Sequence, residues 1–167
     1  DEILTRMGRR YSAETFLRMI ARAADMVPDI CIGTDVIAGF PGEAEDHFEQ
    51  TYHLLKTSPV RYFHVFSFSR RNNARAKDFP GQVRADVIRK RSERLRALSR
   101  RKRRQFFEEM TGKTVPVLFE QKKGGFWHGV TDHFIQVGVS SDRDLKNTFR
   151  RVVLTGIGTR EMNGELV

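Results

Sequence analysis

Residues 35–43 read DVIAGFPGE, and this stretch decides the fold of the first half of the chain. An apolar run at 36–38 leads into the turn Gly-Phe-Pro-Gly at 39–42, and the sequence becomes acidic at Glu43. A buried strand that ends in a tight glycine turn and continues as a helix is typical of parallel α/β layers. Junctions of this kind often bind phosphate through their glycine amides, so the first question is what this one binds.

The flanking segments predict the order helix, strand, helix, strand. A helix is expected over 12–27, with Ser12 as its N-cap, and a strand over 30–38. The near-continuous apolar character of this strand predicts that both of its faces are covered. A second helix is expected from about 43 to 56 and a second strand over 61–68. The fold class is therefore α/β, with a parallel sheet.

The second half has a different composition. A polar loop at 69–82 precedes a long, basic helix over 84–110, and five short β-prone runs with turns between them follow. These runs predict a small antiparallel β-barrel. The predicted domains are 1–82, a connecting helix at 83–111 and a barrel at 112–167.

The turn itself lacks the residues of a phosphate loop. No Lys followed by Ser or Thr comes after Gly42, and Glu43, Glu45 and Asp46 would repel an anion from the helix start. Phosphate binding is disfavoured, and with it a nucleotide-binding ATPase. Two interpretations stay open: a purely structural turn, or a site for a neutral or cationic ligand.

Charge and cysteine content narrow the class of protein. The chain has 167 residues and a net charge of +9, which favours a polyanionic partner such as nucleic acid. It contains no apolar run long enough for a membrane span, and its start does not resemble a signal peptide. Cys31 is the one cysteine, so we interpret it as a small buried hydrophobe in a reducing, cytoplasmic compartment.

Basic residues dominate the long helix. Eleven Lys and Arg between 84 and 104 oppose two acids, which predicts contact with an RNA backbone, although a solvated charged face remains the alternative. The barrel adds further cations and an aromatic residue, Trp127, which is either an RNA contact or part of the core. No catalytic residue is predicted. The RNA-binding candidates are Arg100, Arg101, Arg104, Lys113, Lys122, Lys123 and Trp127.

Several separate stretches together resemble one family. RMGRRY (6–11), CIGTDVIAGFPGE (31–43), YFHVFSFSRR (62–71), RKRSERLRALS (89–99) and GELV (164–167) are similar, in order, to the radical S-adenosylmethionine tRNA methylthiotransferases. The resemblance covers essentially the whole chain. It is strongest to the subgroup, often called MtaB, that acts on threonylcarbamoyladenosine beside the anticodon.

The resemblance implies a fold and a function. Members are transferases that use S-adenosylmethionine and two 4Fe–4S clusters to insert a methylthio group at a C–H bond. Residues 1–82 would form the C-terminal part of a partial β/α radical barrel. Residues 112–167 would form a TRAM domain, an OB-like barrel that binds the tRNA anticodon stem-loop.

The resemblance also implies cofactor contacts. Residues similar to those around S-adenosylmethionine in the family are Arg9, Asp35, Ile37, Gly39, Phe66 and Ser69.

Departures from the family pattern limit these expectations. The cluster motif CxxxCxxC is absent, so we expect a fragment that is inactive alone, lacks its N-terminal partner segment and self-associates through an exposed sheet edge. The loop SRRNNARAK lacks the two prolines usual in the family, and Gly8 replaces a polar residue. The alternative is a stand-alone basic RNA-binding module without catalysis.

Overall fold

A computed structural model describes residues 1–72, 74–159 and 161–167. The chain forms two compact units, 1–103 and 104–167. The helix predicted over 84–110 is present at Ala85–Met110, and the division between the units falls within it. Among the described residues, none of the helices has both the length and the apolar character needed to cross a membrane.

The first unit contains the predicted alternation of helices and strands. Its elements are α1 (Glu2–Arg6), α2 (Ala13–Met26), β1 (Gly33–Ala38), α3 (Glu45–Thr57), β2 (Tyr62–Ser67), a short 3-10 helix (Arg75–Asp78) and α4 (Ala85–Met110). The predicted N-cap of α2 is confirmed, because the Ser12 hydroxyl accepts the Thr15 amide at 3.1 Å. The predicted parallel pairing is confirmed as well, with Asp35 opposite His64 and Ile37 opposite Phe66.

Helices cover one face of this two-stranded sheet. Ala38 and Phe63 from the strands are buried in a cluster with side chains from α2, α3 and α4, including Phe48, Leu55 and Leu95. Each aliphatic side chain buried in this way contributes roughly 1.5–3 kcal/mol. The cluster fixes the strands on a helical layer, as expected for an α/β unit.

The other face of the sheet is open, and here the sequence prediction was wrong. Gly33, Asp35 and Ile37 alternate outward along β1 and are exposed, as are His64 and Phe66 on β2. An apolar strand was expected to be covered on both faces, but the described residues cover only one. Ile37 and Phe66 therefore present apolar surface to solvent, at 36% and 52% exposure.

The turn after β1 is tightly packed. Gly39 has φ of +79°, and a Cβ placed on it would lie 2.3 Å from Ile88 Cγ1 on α4. Phe40 is buried, with edge-to-face contacts to the rings of Phe68 and Phe79. The Gly42 amide donates to the Gly81 carbonyl at 2.7 Å, which ties the turn to the 69–82 segment.

Where a polar loop was predicted from sequence, residues 75–82 contain a short 3-10 helix that one side chain holds. The side-chain amide of Gln82 donates to the carbonyls of Ala76, Lys77 and Phe79 at 2.9–3.2 Å. These bonds cap the 3-10 helix, so one glutamine organises the loop. Asn73, which belongs to the predicted loop, lies outside the described residues.

The second unit is a closed five-stranded barrel. Its strands are β3 (Thr114–Lys123), β4 (Phe126–Thr131), β5 (Gln136–Ser140), β6 (Thr148–Ile157) and β7 (Met162–Leu166), in the order β3-β4-β5-β7-β6. Antiparallel pairing of β6 with β3 closes it. The five predicted strands are confirmed, but the barrel is not wholly antiparallel, because β5 and β7 run parallel. Local turn signals cannot reveal a pairing made by strands distant in sequence.

We expect Gly39→Ala to destabilise the first unit by about 3 kcal/mol, because the new methyl group combines an unfavourable φ with overlap on Ile88. Gly8→Ala is the matched control. Gly8 has a similar φ of +72° and open space around its Cα, so the expected loss is about 1 kcal/mol. Urea denaturation followed by circular dichroism measures both. Equal losses of stability in Gly39→Ala and Gly8→Ala would show that Ile88 does not constrain the turn. If Ile88 does constrain it, the added methyl group at Gly39 should cost less in an Ile88→Ala background than in the wild-type protein.

Candidate cofactor and nucleic-acid sites

A buried ion pair lies directly behind the turn. The Glu43 carboxylate accepts the Gly39 amide at 2.8 Å and the Arg91 guanidinium at 2.8 Å. Arg91 also donates to the Glu43 carbonyl at 2.8 Å and to the exposed Glu45 carboxylate at 2.7 Å. The side chains of Glu43 and Arg91 are 5% and 6% exposed. Burial raises the pKa of Glu43 above its usual value, against the opposing bonds from Gly39 and Arg91.

This arrangement explains why the turn is a poor phosphate site. The amides of Gly39, Gly42 and Glu43 already donate to acceptors within the protein. Glu45 and Asp46 occupy the first turn of α3, as the sequence predicted. An anion would have to displace a buried carboxylate and approach two others, which electrostatics opposes. The turn can still present its backbone surface to a neutral or cationic ligand.

The open face of the sheet brings together three of the six predicted cofactor contacts. Asp35, Ile37 and Phe66 all point outward from β1 and β2, and His64 lies beside Asp35 in the register. The face combines one carboxylate, one imidazole and two apolar side chains. Such a surface can hold a flat apolar group and accept hydrogen bonds from hydroxyls beside it.

The other three predicted contacts lie elsewhere. Gly39 is buried against Ile88, so its Cα is not available to a ligand. Ser69 is exposed two residues beyond β2, and Arg9 is exposed after α1. The six residues therefore stay a prediction, of which the open face supports three.

The basic helix α4 uses several of its cations internally, which the sequence did not reveal. Arg91 is the buried partner of Glu43, and Arg94 binds Glu49 at 2.6 Å. Lys102 donates to the carbonyls of Lys56 and Ser58 at 3.1 and 2.9 Å. These bonds stabilise the first unit and occupy donors that the sequence alone had assigned to an RNA surface.

Other cations are exposed as predicted. On α4, Arg100 and Arg101 are exposed, and Arg104 is exposed with an ion pair to Glu108 at 3.0 Å. On the barrel, Lys122 and Lys123 are exposed at the end of β3, whereas Lys113 is half-buried. Their contact with RNA stays a prediction.

Trp127 is corrected to a core residue. The alternation of β4 points its ring into the barrel, where it is 6% exposed, and the Lys122 ammonium lies 5.7 Å from its centroid. It cannot stack on a base from that position. The exposed aromatic surface among the described barrel residues is carried by three phenylalanines, of which the sequence indicated only the first: Phe126, Phe134 and Phe149, at 49%, 74% and 66% exposure.

Metal-binding chemistry is not provided by the described residues. Across 1–72, 74–159 and 161–167, no group of three or more His, Cys, Asp or Glu side chains is placed to hold a metal ion. Cys31 is half-buried, and burial raises the pKa of its thiol, opposed by the charges of Arg103 and Arg61. A thiol in this state is a weak metal ligand and a weak nucleophile.

Comparison with known proteins finds several similar enzymes that carry the same name. No protein-family model matches the chain. The tRNA-2-methylthio-N(6)-dimethylallyladenosine synthase of Nitratiruptor sp. is 35% identical over 169 aligned residues, covering 99% of this chain and 39% of that enzyme. The enzyme of the same name from Agrobacterium fabrum is 40% identical over 123 residues, covering 72% of this chain and 27% of that enzyme. That from Pelobacter propionicus is 34% identical over 171 residues, covering 100% of this chain and 38% of that enzyme.

These relatives support the class expected from the motifs and correct one detail. The chain spans well under half the length of the curated relatives it matches. All three names describe synthases of a methylthio-modified adenosine in tRNA. The nucleoside that they name carries a dimethylallyl group, so the threonylcarbamoyladenosine subgroup is not supported.

We expect Arg91→Ala to destabilise the first unit by about 3–5 kcal/mol, because it leaves the buried Glu43 carboxylate without its partner. Arg100→Ala removes an equal charge from an exposed position of the same helix and should change stability by less than about 0.5 kcal/mol. Chemical denaturation of both variants measures the difference. A small loss for Arg91→Ala would show that solvent reaches the Glu43 carboxylate.

Proposed function

We propose that the chain is part of a radical S-adenosylmethionine tRNA methylthiotransferase whose substrate is N6-dimethylallyladenosine in tRNA. The observation that carries this proposal is the similarity to the synthase of Nitratiruptor sp., which extends over 99% of the chain. The motif resemblance supports the same class. The proposed location remains the cytoplasm, where tRNA is modified.

The first unit would supply part of the cofactor pocket. When bound, S-adenosylmethionine supplies the radical chemistry and the methyl group. The residues present fit its adenosine end, because Ile37 and Phe66 offer exposed apolar surface and Asp35 offers an acceptor for hydroxyls. The residues present do not fit a 4Fe–4S cluster, since the chain contains one cysteine. The two proposed clusters would therefore need ligands from other parts of the whole polypeptide.

The second unit would bind the tRNA. A closed barrel in which the third and fifth strands are parallel resembles the OB-like barrels, which bind oligonucleotides on their surface. Exposed Lys122, Lys123 and Arg150, together with exposed Phe126 and Phe149, supply phosphate contacts and stacking surfaces. We assign this unit to the predicted TRAM domain and propose the anticodon stem-loop as its ligand.

The substrate assignment is tested with the whole polypeptide that contains this chain. We expect it to convert dimethylallyladenosine in tRNA to the methylthio form, and the 167-residue chain alone to convert none. Mass spectrometry of digested tRNA measures the product. Product on threonylcarbamoyladenosine alone would overturn the substrate assignment and restore the subgroup expected from the motifs.

A variant pair tests the open face in the same assay. Phe66→Asp places a charge on the proposed adenosine surface and should abolish product formation, because burying that charge against the cofactor is costly. Met19→Asp introduces the same negative charge at a 67% exposed position on α2 and should leave activity intact. Equal activity of both variants would contradict a cofactor site on this face.

We expect the 167-residue chain to bind an anticodon stem-loop with an affinity that falls steeply as salt rises. Arg100→Ala with Arg101→Ala should weaken binding of all RNA sequences similarly, since both side chains would contact phosphates. Fluorescence anisotropy at several salt concentrations measures this. Arg18→Ala with Arg22→Ala, which removes two exposed cations from α2, is the control. Absence of binding at low salt would contradict an RNA-binding role, and binding without methylthio transfer by the whole polypeptide would favour the stand-alone RNA-binding module.

A further inference from the structure

A groove lies at the carboxyl end of β2, beside the start of α4. Its volume is about 430 Å³, it is open to solvent, and none of the predicted sites includes it. It is lined by Phe68, Arg70, Gln82, Val83, Arg84, Ala85 and Ile88. In α/β folds, ligands bind preferentially beyond the carboxyl ends of the strands, and a volume of this size suits a small organic ligand.

The groove combines an apolar floor with cationic edges. Phe68, Val83 and Ile88 are half-buried and contribute its apolar surface. Arg70 donates through Nε to the Gln82 side chain at 3.0 Å, and Gln82 is itself fixed by three carbonyls. Arg70 is exposed, yet this bond orients its guanidinium along the edge of the groove.

The second cationic side chain at the groove, Arg84, is already paired with a carboxylate. Arg84 is 82% exposed and donates to the Asp86 carboxylate at 3.1 and 3.3 Å. That carboxylate partly neutralises Arg84. An arriving anion would share Arg84 with Asp86, so the strength of the site depends on both residues.

The surrounding segment is strongly basic. Between 69 and 84, five cations oppose one acid, Asp78. A purely apolar ligand would gain nothing from this charge, and a simple anion would make no use of the apolar floor. A ligand with a phosphate beside a flat apolar group satisfies both, and a nucleotide has this composition. The cations are Arg70, Arg71, Arg75, Lys77 and Arg84.

We propose that this groove binds one nucleotide, with its phosphate on Arg70 and Arg84 and its base or ribose over Phe68, Val83 and Ile88. The groove does not use the Gly39 and Gly42 amides, which donate to Glu43 and Gly81, and Ile88 both packs beside Gly39 and lines the groove. As the groove is open, a bound nucleotide can continue into a strand. The assignment of that strand to tRNA rests on the proposed function.

Calorimetric titration of the 167-residue chain tests the site with three probes: adenosine monophosphate, adenosine and a short oligoadenylate. We expect the monophosphate to bind at least about tenfold more tightly than adenosine, because its phosphate accepts charge-assisted hydrogen bonds that adenosine cannot make. Tighter binding of the oligoadenylate would identify a strand as the ligand. Equal binding of monophosphate and oligoadenylate would identify a free nucleotide and overturn the strand assignment.

Two variants with opposite expected effects on nucleotide affinity show whether a change in affinity comes from the groove or from loss of folding. Arg70→Ala should weaken the monophosphate about tenfold, and it should reduce the salt slope for the oligoadenylate by about 0.7. Asp86→Asn removes the competing carboxylate and should tighten binding about two- to threefold. Arg22→Ala, an exposed cation on α2, should leave both unchanged.

The outcomes separate this inference from the proposed function. Unchanged affinity in Arg70→Ala, or no monophosphate binding at all, would overturn the groove as a nucleotide site. If the anticodon stem-loop still binds in that case, the proposed function stands. If the whole polypeptide does not transfer a methylthio group but Arg70→Ala weakens the binding of adenosine monophosphate, the groove is supported and the proposed function is overturned.

Discussion

The first unit depends on one buried contact, that of the Glu43 carboxylate with the Gly39 amide and the Arg91 guanidinium. Gly39 directly follows β1, Glu43 precedes α3, and Arg91 lies on α4, so a single carboxylate links three elements. Burying two charges is costly, so the pair adds little net stability, whereas removing one partner leaves an uncompensated buried charge. The contact of Glu43 with Gly39 and Arg91 fixes where the chain turns after β1. The open face includes β1 and the groove lies at the start of α4, so both depend on elements that this contact positions.

Much of the fold follows from local sequence patterns. Helical spacing and the Ser12 cap predict α2, and the change from a helical to an alternating pattern after Gly112 predicts the barrel. The parallel pairing of β5 with β7 could not be predicted, since Val137 and Met162 meet only when the barrel closes. Nor does the apolar content of β1 reveal that its outward side chains are uncovered in this chain.

The sites were harder to predict than the fold, for a related reason. Residue type shows charge, but only the structure shows which charges are already used. The sequence shows Glu43 as one of three acids at a helix start, and only the structure shows that it is buried with a partner 48 residues away. The sequence assigns Arg91 and Lys102 to an RNA surface, whereas in the structure Arg91 is buried with Glu43 and Lys102 donates to carbonyls at the end of α3. Trp127 and Phe126 are neighbours in sequence, but the pleat of β4 buries one and exposes the other.

The Gly39 and Gly42 amides donate to acceptors within the protein, and this affects how the protein distinguishes ligands. A site with free amides attracts anions at a distance, and dissolved salt weakens that attraction. This turn offers only the shape of its backbone and the apolar surface of β1 and β2 beside it, which depend little on ionic strength. The exposed cations of the barrel behave in the opposite way. If the two proposed sites bind their ligands, they respond differently to ionic strength: a rise in salt would release a polyanion from the barrel and leave a ligand on the open face of the sheet in place.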